Sequence, residues 1–152
     1  MNNIKGVIFD YGRTLHEDES NQFLDNAKDV IQYLSKKYKL AIVSITWLET
    51  MEKRWKQIRD ADLEKYFVSI ELVPTPEEKE RAFNDAIKKF GCSFHEVAIV
   101  DDRTVRGIKW GNQKGCVTIW LQKGKFSQEL PNEETGQPSF IIKELNELKK
   151  YL

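Results

Sequence analysis

Long apolar runs are missing from this chain, and so is any excess of charge. No apolar stretch approaches the roughly 18 residues of a membrane span. The polar Met-Asn-Asn-Ile-Lys start lacks the apolar region of a signal peptide. Basic and acidic residues number 24 each, so bulk electrostatics give no reason for binding to nucleic acid or an anionic membrane. There are only two cysteines, Cys92 and Cys116, in neither C-x-x-C nor metal-ligand spacing. They read as reduced residues packed as small hydrophobes. Together these absences predict a cytoplasmic protein without disulfides or membrane contact, and they give no evidence for a nucleic-acid partner. Four prolines and eight glycines leave no low-complexity linker or repeat. The length, 152 residues, predicts a single domain over 1–152 with a real core.

What is present is an alternation of two kinds of segment. Short apolar runs at Ile4–Phe9, Leu40–Val43, Phe67–Leu72, Val97–Val100 and Val117–Trp120 read as buried strands. Between them, Phe23, Ala27, Val30, Ile31 and Leu34 keep helical spacing, as do Leu48, Met51, Trp55 and Ile58. A third helix has clear ends: Thr75 and Glu78 as a capping box, Pro76 in the first turn and Gly91 at the stop. A fourth is expected from about Thr104 to Lys114, closed by Gly115. Gln122–Pro138 reads as a loop, Ser139–Ile142 as a short edge strand, and Glu144–Leu152 as a terminal helix. Such alternation predicts an α/β protein, a Rossmann-like three-layer sandwich around a central parallel sheet.

The densest information lies in Val7-Ile8-Phe9-Asp10-Tyr11-Gly12-Arg13-Thr14-Leu15. Three β-formers end in an acid and a glycine turn, which places Asp10 at the carboxyl end of a buried strand, where open α/β sheets bind ligands. This run resembles the first motif of the haloacid dehalogenase (HAD) superfamily, hydrophobic strand-Asp-x-Asp-Gly-Thr-Leu. Asp10, Thr14 and Leu15 match, while Gly12 stands in place of the second Asp and Arg13 in place of the Gly. Further along, Leu40-Ala41-Ile42-Val43-Ser44 is similar to the second motif, a strand ending in a hydroxyl residue; Thr46 competes with Ser44 but reads better as a helix cap. Pro74-Thr75-Pro76 resembles the surroundings of the third-motif lysine, although Val73 occupies the usual lysine position and Lys79 is the nearest replacement. Val97-Ala98-Ile99-Val100-Asp101-Asp102 resembles the fourth motif, with Asp102 on its metal-binding acid, Asp101 on its Gly and Arg103 on its Ser. Gly107 falls where a second acid belongs. Gly115-Cys116-Val117-Thr118-Ile119-Trp120 resembles the stretch leading into the family's fifth strand.

The resemblance covers nearly the whole chain and implies a phosphohydrolase. Asp10 would be the nucleophile that forms an aspartyl-phosphate. Ser44 and Lys79 would act with it and bind phosphate, helped by Arg13 and Arg103. Mg²⁺ would be held by Asp10, the Gly12 carbonyl and Asp102, with Asp101 beside them. The short His16–Gln22 and Thr46–Tyr66 stretches leave no room for the cap domain most members carry. Capless members often act on large substrates or close their sites by oligomerising, so the expected partners are a phosphorylated, possibly macromolecular substrate and a second copy of the chain.

The departures fall unevenly. Metal binding needs only a backbone carbonyl at position 12, but proton transfer needs the missing acid, worth roughly 10²–10⁴ in rate. His16 reads as a solvent-exposed loop residue, and His95 lies at the far end of the sheet. Three readings follow: a slow phosphatase favouring good leaving groups, a non-catalytic HAD-fold protein binding a phosphorylated ligand or protein, and a dehalogenase, which needs no second Asp but usually has a cap.

Overall fold

The computed structural model describes residues 3–152. Its frame is a six-stranded sheet built from β1 (Gly6–Phe9), β4 (Lys39–Ile45), β5 (Ser69–Val73), β6 (Val97–Asp101), β7 (Val117–Leu121) and β8 (Phe140–Ile142). The spatial order is β5-β4-β1-β6-β7-β8, with every neighbouring pair parallel. β1 is thus central, as expected, and β8 is the expected edge strand.

Side chains alternate across this sheet and make two cores. Val7 and Phe9 of β1, with Leu40 and Ile42 of β4, face α1 (Ala27–Ser35), α2 (Leu48–Asp60) and α5 (Leu148–Tyr151). Ile8, Ala41 and Val43 point the other way, onto α3 (Pro76–Phe90) and α4 (Lys109–Lys114). Helices on both faces explain why the strands read as unbroken apolar runs. α3 has the predicted ends: the Thr75 hydroxyl accepts from the Glu78 amide at 3.2 Å, and Gly91 turns out at a φ of 70°.

Four expectations need correction. Phe23 does not begin the first helix; it pairs with His16 in a small antiparallel hairpin of β2 (His16–Glu17) and β3 (Gln22–Phe23). His16 is consequently buried, its ring stacked on Tyr11 at 5.5 Å. The fourth helix is broken: Thr104–Ile108 forms a wide turn with Arg106 off helical geometry, and only Lys109–Lys114 is α-helical. The cause is Asp101, whose two carboxylate oxygens accept the amides of Arg103 (3.0 Å) and Gly107 (2.8 Å) and wrap the turn around themselves. The terminal helix is shorter than expected, a 3₁₀ turn at Leu145–Glu147 leading into α5.

Candidate active site

Three strand ends converge. The Asp10 amide donates to the Val100 carbonyl at 3.0 Å, pinning the end of β1 to β6 and setting Asp10 beside the Asp101–Asp102 pair. One carboxylate oxygen from each of Asp10, Asp101 and Asp102 lies within 4.8 Å of the others. Into this cluster reaches Lys79 from the first turn of α3, its Nζ 3.5 Å from Asp10 Oδ1 and 3.5 Å from Asp101 Oδ2. A lysine on a glutamate-rich first turn could equally have pointed to water; it is 5% exposed and points inward.

Three acids facing one cation leave a charge excess. Burial raises the Asp10 pKa above the ordinary carboxylate value, with Asp101 adding to the rise and Lys79 opposing it. Burial, then Asp101 and Asp10, push Asp102 up to about 9. Burial disfavours charge on Lys79, but Asp10 and Asp101 more than offset it and hold its pKa above the usual lysine value. Asp102 is positioned by the Thr14 hydroxyl, 3.3 Å from Oδ1, and by Trp120, whose Nε1 donates to the Asp102 carbonyl at 2.9 Å. Its Oδ2 is buried without a protein partner.

The two glycines that break the motif sit against the groups that fill their space. A Cβ on Gly107 would lie 2.5 Å from Asp101 Oδ2. The carboxylate missing at 107 is therefore returned from 101, and 107 has to be small to admit it. A Cβ on Gly12 would lie 2.7 Å from Arg54 Nη2 and 3.5 Å from Asp18 Oδ2. Gly12 itself has no positive φ; the left-handed residue in this turn is Arg13, at 61°. A non-glycine residue there costs about 1–3 kcal/mol. Arg13→Gly should accordingly stabilise the protein by on the order of 0.5–1 kcal/mol once the entropy of the unfolded glycine is subtracted. Thermal melts of Arg13→Gly and Arg13→Ala test this. A midpoint for the glycine variant no higher than that of the alanine variant removes the strain argument.

Ser44 is buried at the end of β4 and accepts from Arg54 Nη1 at 3.3 Å. Thr46 caps no helix; its hydroxyl accepts from the same Nη1 at 2.8 Å, and α2 starts after Trp47 without a side-chain cap. Arg103 pairs with Glu129 at 3.0 Å and lies over the Phe126 ring at 3.8 Å, so the Gln122–Pro138 loop already claims its charge. Arg13 also faces Phe126, at 5.5 Å. Ser44, Arg54, Arg103, Arg13 and Phe126 line a cavity of about 400 Å³ together with Asp10, Gly12, Asp102 and the exposed Trp47. The sequence reading missed Arg54, Asp18 and Glu129. His95 lies in an exposed turn before β6, remote from this cavity, as expected.

A parallel sheet with central β1, a strand-end Asp and a paired acid across from it is the arrangement that the HAD resemblance implied, and a family match places the chain in that superfamily. The sequence profile of the mitochondrial PGP phosphatase family matches residues 1–125, and the chain belongs to that family. Glyceraldehyde 3-phosphate phosphatase of Methanopyrus kandleri is 24% identical over 99 residues, 63% of this chain. The chain spans 42% of that relative's length. Among solved structures, YfnB of Bacillus subtilis, described as a HAD-hydrolase and bound to magnesium, superposes with a TM-score of 0.80 at 17% identity over 99% of both chains. A HAD phosphatase from Thermococcus onnurineus gives 0.67 at 18% identity over 86% of this chain and 58% of its own. No helix among the described residues is long and apolar enough to cross a membrane.

Proposed function

We propose that the protein is a Mg²⁺-dependent phosphomonoesterase that works through an aspartyl-phosphate on Asp10. The observation that carries this reading is Lys79, whose one buried ammonium lies 3.5 Å from both Asp101 and Asp10, the acid that lines the cavity. A buried cation there orients the Asp10 carboxylate and offsets phosphate charge beside it. Membership of a phosphatase family supports phosphoryl transfer over halide displacement.

In the first step a carboxylate oxygen of Asp10 attacks phosphorus and the bond to the leaving oxygen breaks. The alcohol leaves with a proton drawn from water. In the second step water attacks phosphorus, the bond to Asp10 breaks, and phosphate is released. Ser44 donates a hydroxyl hydrogen bond to a phosphoryl oxygen, and Lys79 neutralises the developing charge. Without an acid at position 12, turnover should be slow on alkyl phosphates and faster on aryl phosphates.

The residues present fit a divalent cation. Three clustered carboxylates with one lysine lack positive charge, and Asp102 Oδ2 is buried and unpartnered. Asp10, the Gly12 carbonyl and Asp102 would hold Mg²⁺; Asp101, with both oxygens engaged, would sit behind them. When bound, the ion supplies the positive charge that lets a phosphate dianion approach an anionic nucleophile.

The test is an aryl-phosphate assay with and without Mg²⁺, alongside melting curves. Mg²⁺ at 100 times its Kd should stabilise by about 2.7 kcal/mol, or roughly 5–10 °C for a chain of this size. Asp102→Asn should abolish that shift. Without metal it should itself raise the melting midpoint, since it removes a buried repelling acid. A carboxyl whose folded pKa is raised is costless below its unfolded value, about 3.9, and loses the protein stability as pH rises toward about 9. The metal-free gap between Asp102→Asn and wild type should widen from pH 5 to pH 8; a gap that narrows refutes the charge account. Phosphate binding without turnover would favour the non-catalytic reading.

A further inference from the structure

We propose that Arg54 is a catalytic residue, a guanidinium that occupies the room left by the missing side chain at position 12 and stabilises charge on the phosphoryl group and the leaving oxygen. This rests on the phosphatase reading above. Three observations place it there. Its Nη2 lies 2.7 Å from where a Cβ on residue 12 would be, the direction in which the resemblance puts the proton donor. Its Nη1 donates to Ser44 Oγ at 3.3 Å, so the same planar group reaches the hydroxyl proposed to hold the phosphoryl oxygen. Both atoms belong to a side chain lining the cavity with Asp10 and Asp102.

The guanidinium is fixed from several sides. The Ile45 carbonyl accepts from Nη1 at 3.1 Å and Thr46 Oγ1 at 2.8 Å; Asp18 Oδ2 accepts from Nη2 at 3.2 Å. The Tyr11 ring lies 5.2 Å beneath Cζ. A fork held this way matches phosphate oxygens without further ordering. Arginine cannot release its proton near neutral pH, so it replaces a proton donor with a fixed positive charge. As the bond from phosphorus to the leaving oxygen breaks, negative charge grows on that oxygen beside Nη2, and water supplies the proton afterwards. Any side chain at position 12 would crowd this group, which accounts for the glycine.

Arg54 also ties α2 to the end of β4 and to the β2–β3 hairpin, so loss of activity alone would not separate catalysis from support. The experiment therefore compares Arg54→Gln with wild type on p-nitrophenyl phosphate and an alkyl phosphate, with and without added guanidinium. Turnover of the alkyl ester should fall about 10²–10³-fold. The loss should be several times smaller on the nitrophenyl ester, whose leaving group carries charge unaided, and guanidinium should restore part of the alkyl activity. Should Arg54→Gln fail to fold, Arg54→Lys carries the test. Its ammonium keeps the charge but cannot span Ser44 and the leaving oxygen together, so the alkyl ester should again lose more. An equal loss on both esters without guanidinium rescue, or no loss, overturns the assignment of Arg54. A wild type inactive on both esters with Mg²⁺ overturns the phosphatase reading itself, and this assignment with it.

Discussion

Asp10→Asn should reduce phosphatase turnover by at least about 10⁴-fold while leaving the fold intact, because it deletes the attacking charge together with an anionic ligand of the proposed metal site. Asparagine keeps the shape of the side chain at the end of β1 and can still meet Lys79, 3.5 Å away. The sheet register that holds the position, with Phe9 paired to Ile42 and Val100, is set by backbone bonds and apolar packing that the change does not touch. Wild type and variant should give the same circular dichroism. Mass spectrometry of wild type quenched during turnover should show one added phosphoryl group on the peptide carrying Asp10, absent from the variant. Substantial turnover by pure Asp10→Asn protein assigns the chemistry to another nucleophile.

Much of this site was legible in the sequence because strand ends are. A buried strand that stops at an acid fixes that acid at the carboxyl edge of the sheet, and parallel register then brings Asp10, Ser44, Asp101 and Asp102 to one edge. Lys79 could be named as the nearest lysine after Pro76, but its inward aim depends on α3 packing Phe83 and Ala86 onto the sheet, which no local pattern states. Arg54 was illegible for a stronger reason. It sits on α2 with no motif spacing to Asp10, and its place depends on how that helix lies over the end of β4. The only trace it left was the absence of a side chain at Gly12. The β2–β3 hairpin was hidden because two-residue strands carry no periodicity, so His16 read as exposed and Phe23 as helical.

Gly107 and Gly12 read in isolation as losses, and the structure turns each into half of an exchange. At 107 the exchange conserves charge: a carboxylate leaves one position and arrives from Asp101, keeping its place near Lys79. At 12 it reverses charge, because the group that fills the space is a guanidinium. The first should leave the metal site serviceable. The second, on the proposal above, should change which leaving groups the site serves best.

Restoring the acid with Gly12→Asp gives the measure of that change. The backbone permits it, since Gly12 does not have a positive φ and the strain in this turn belongs to Arg13. The obstacle is Arg54, whose Nη2 would sit 2.7 Å from the new Cβ. That atom is the free end of a long side chain and can swing aside, but the new carboxylate and the guanidinium will attract one another. Pairing holds the carboxyl ionised, so the single variant should gain little on alkyl phosphates. As Arg54 is drawn off the leaving oxygen the single variant should instead lose activity, more on the alkyl ester than on p-nitrophenyl phosphate. Removing the partner frees the acid. Gly12→Asp/Arg54→Gln should turn over an alkyl phosphate up to roughly 10²-fold faster than Arg54→Gln alone, with little difference on the nitrophenyl ester, whose leaving group needs no proton. Melting curves and Mg²⁺ titrations establish that both variants are folded and metal-competent. A folded, Mg²⁺-binding double variant that gains nothing over Arg54→Gln would mean that the site lacks more than a proton donor, and the non-catalytic reading would then take precedence.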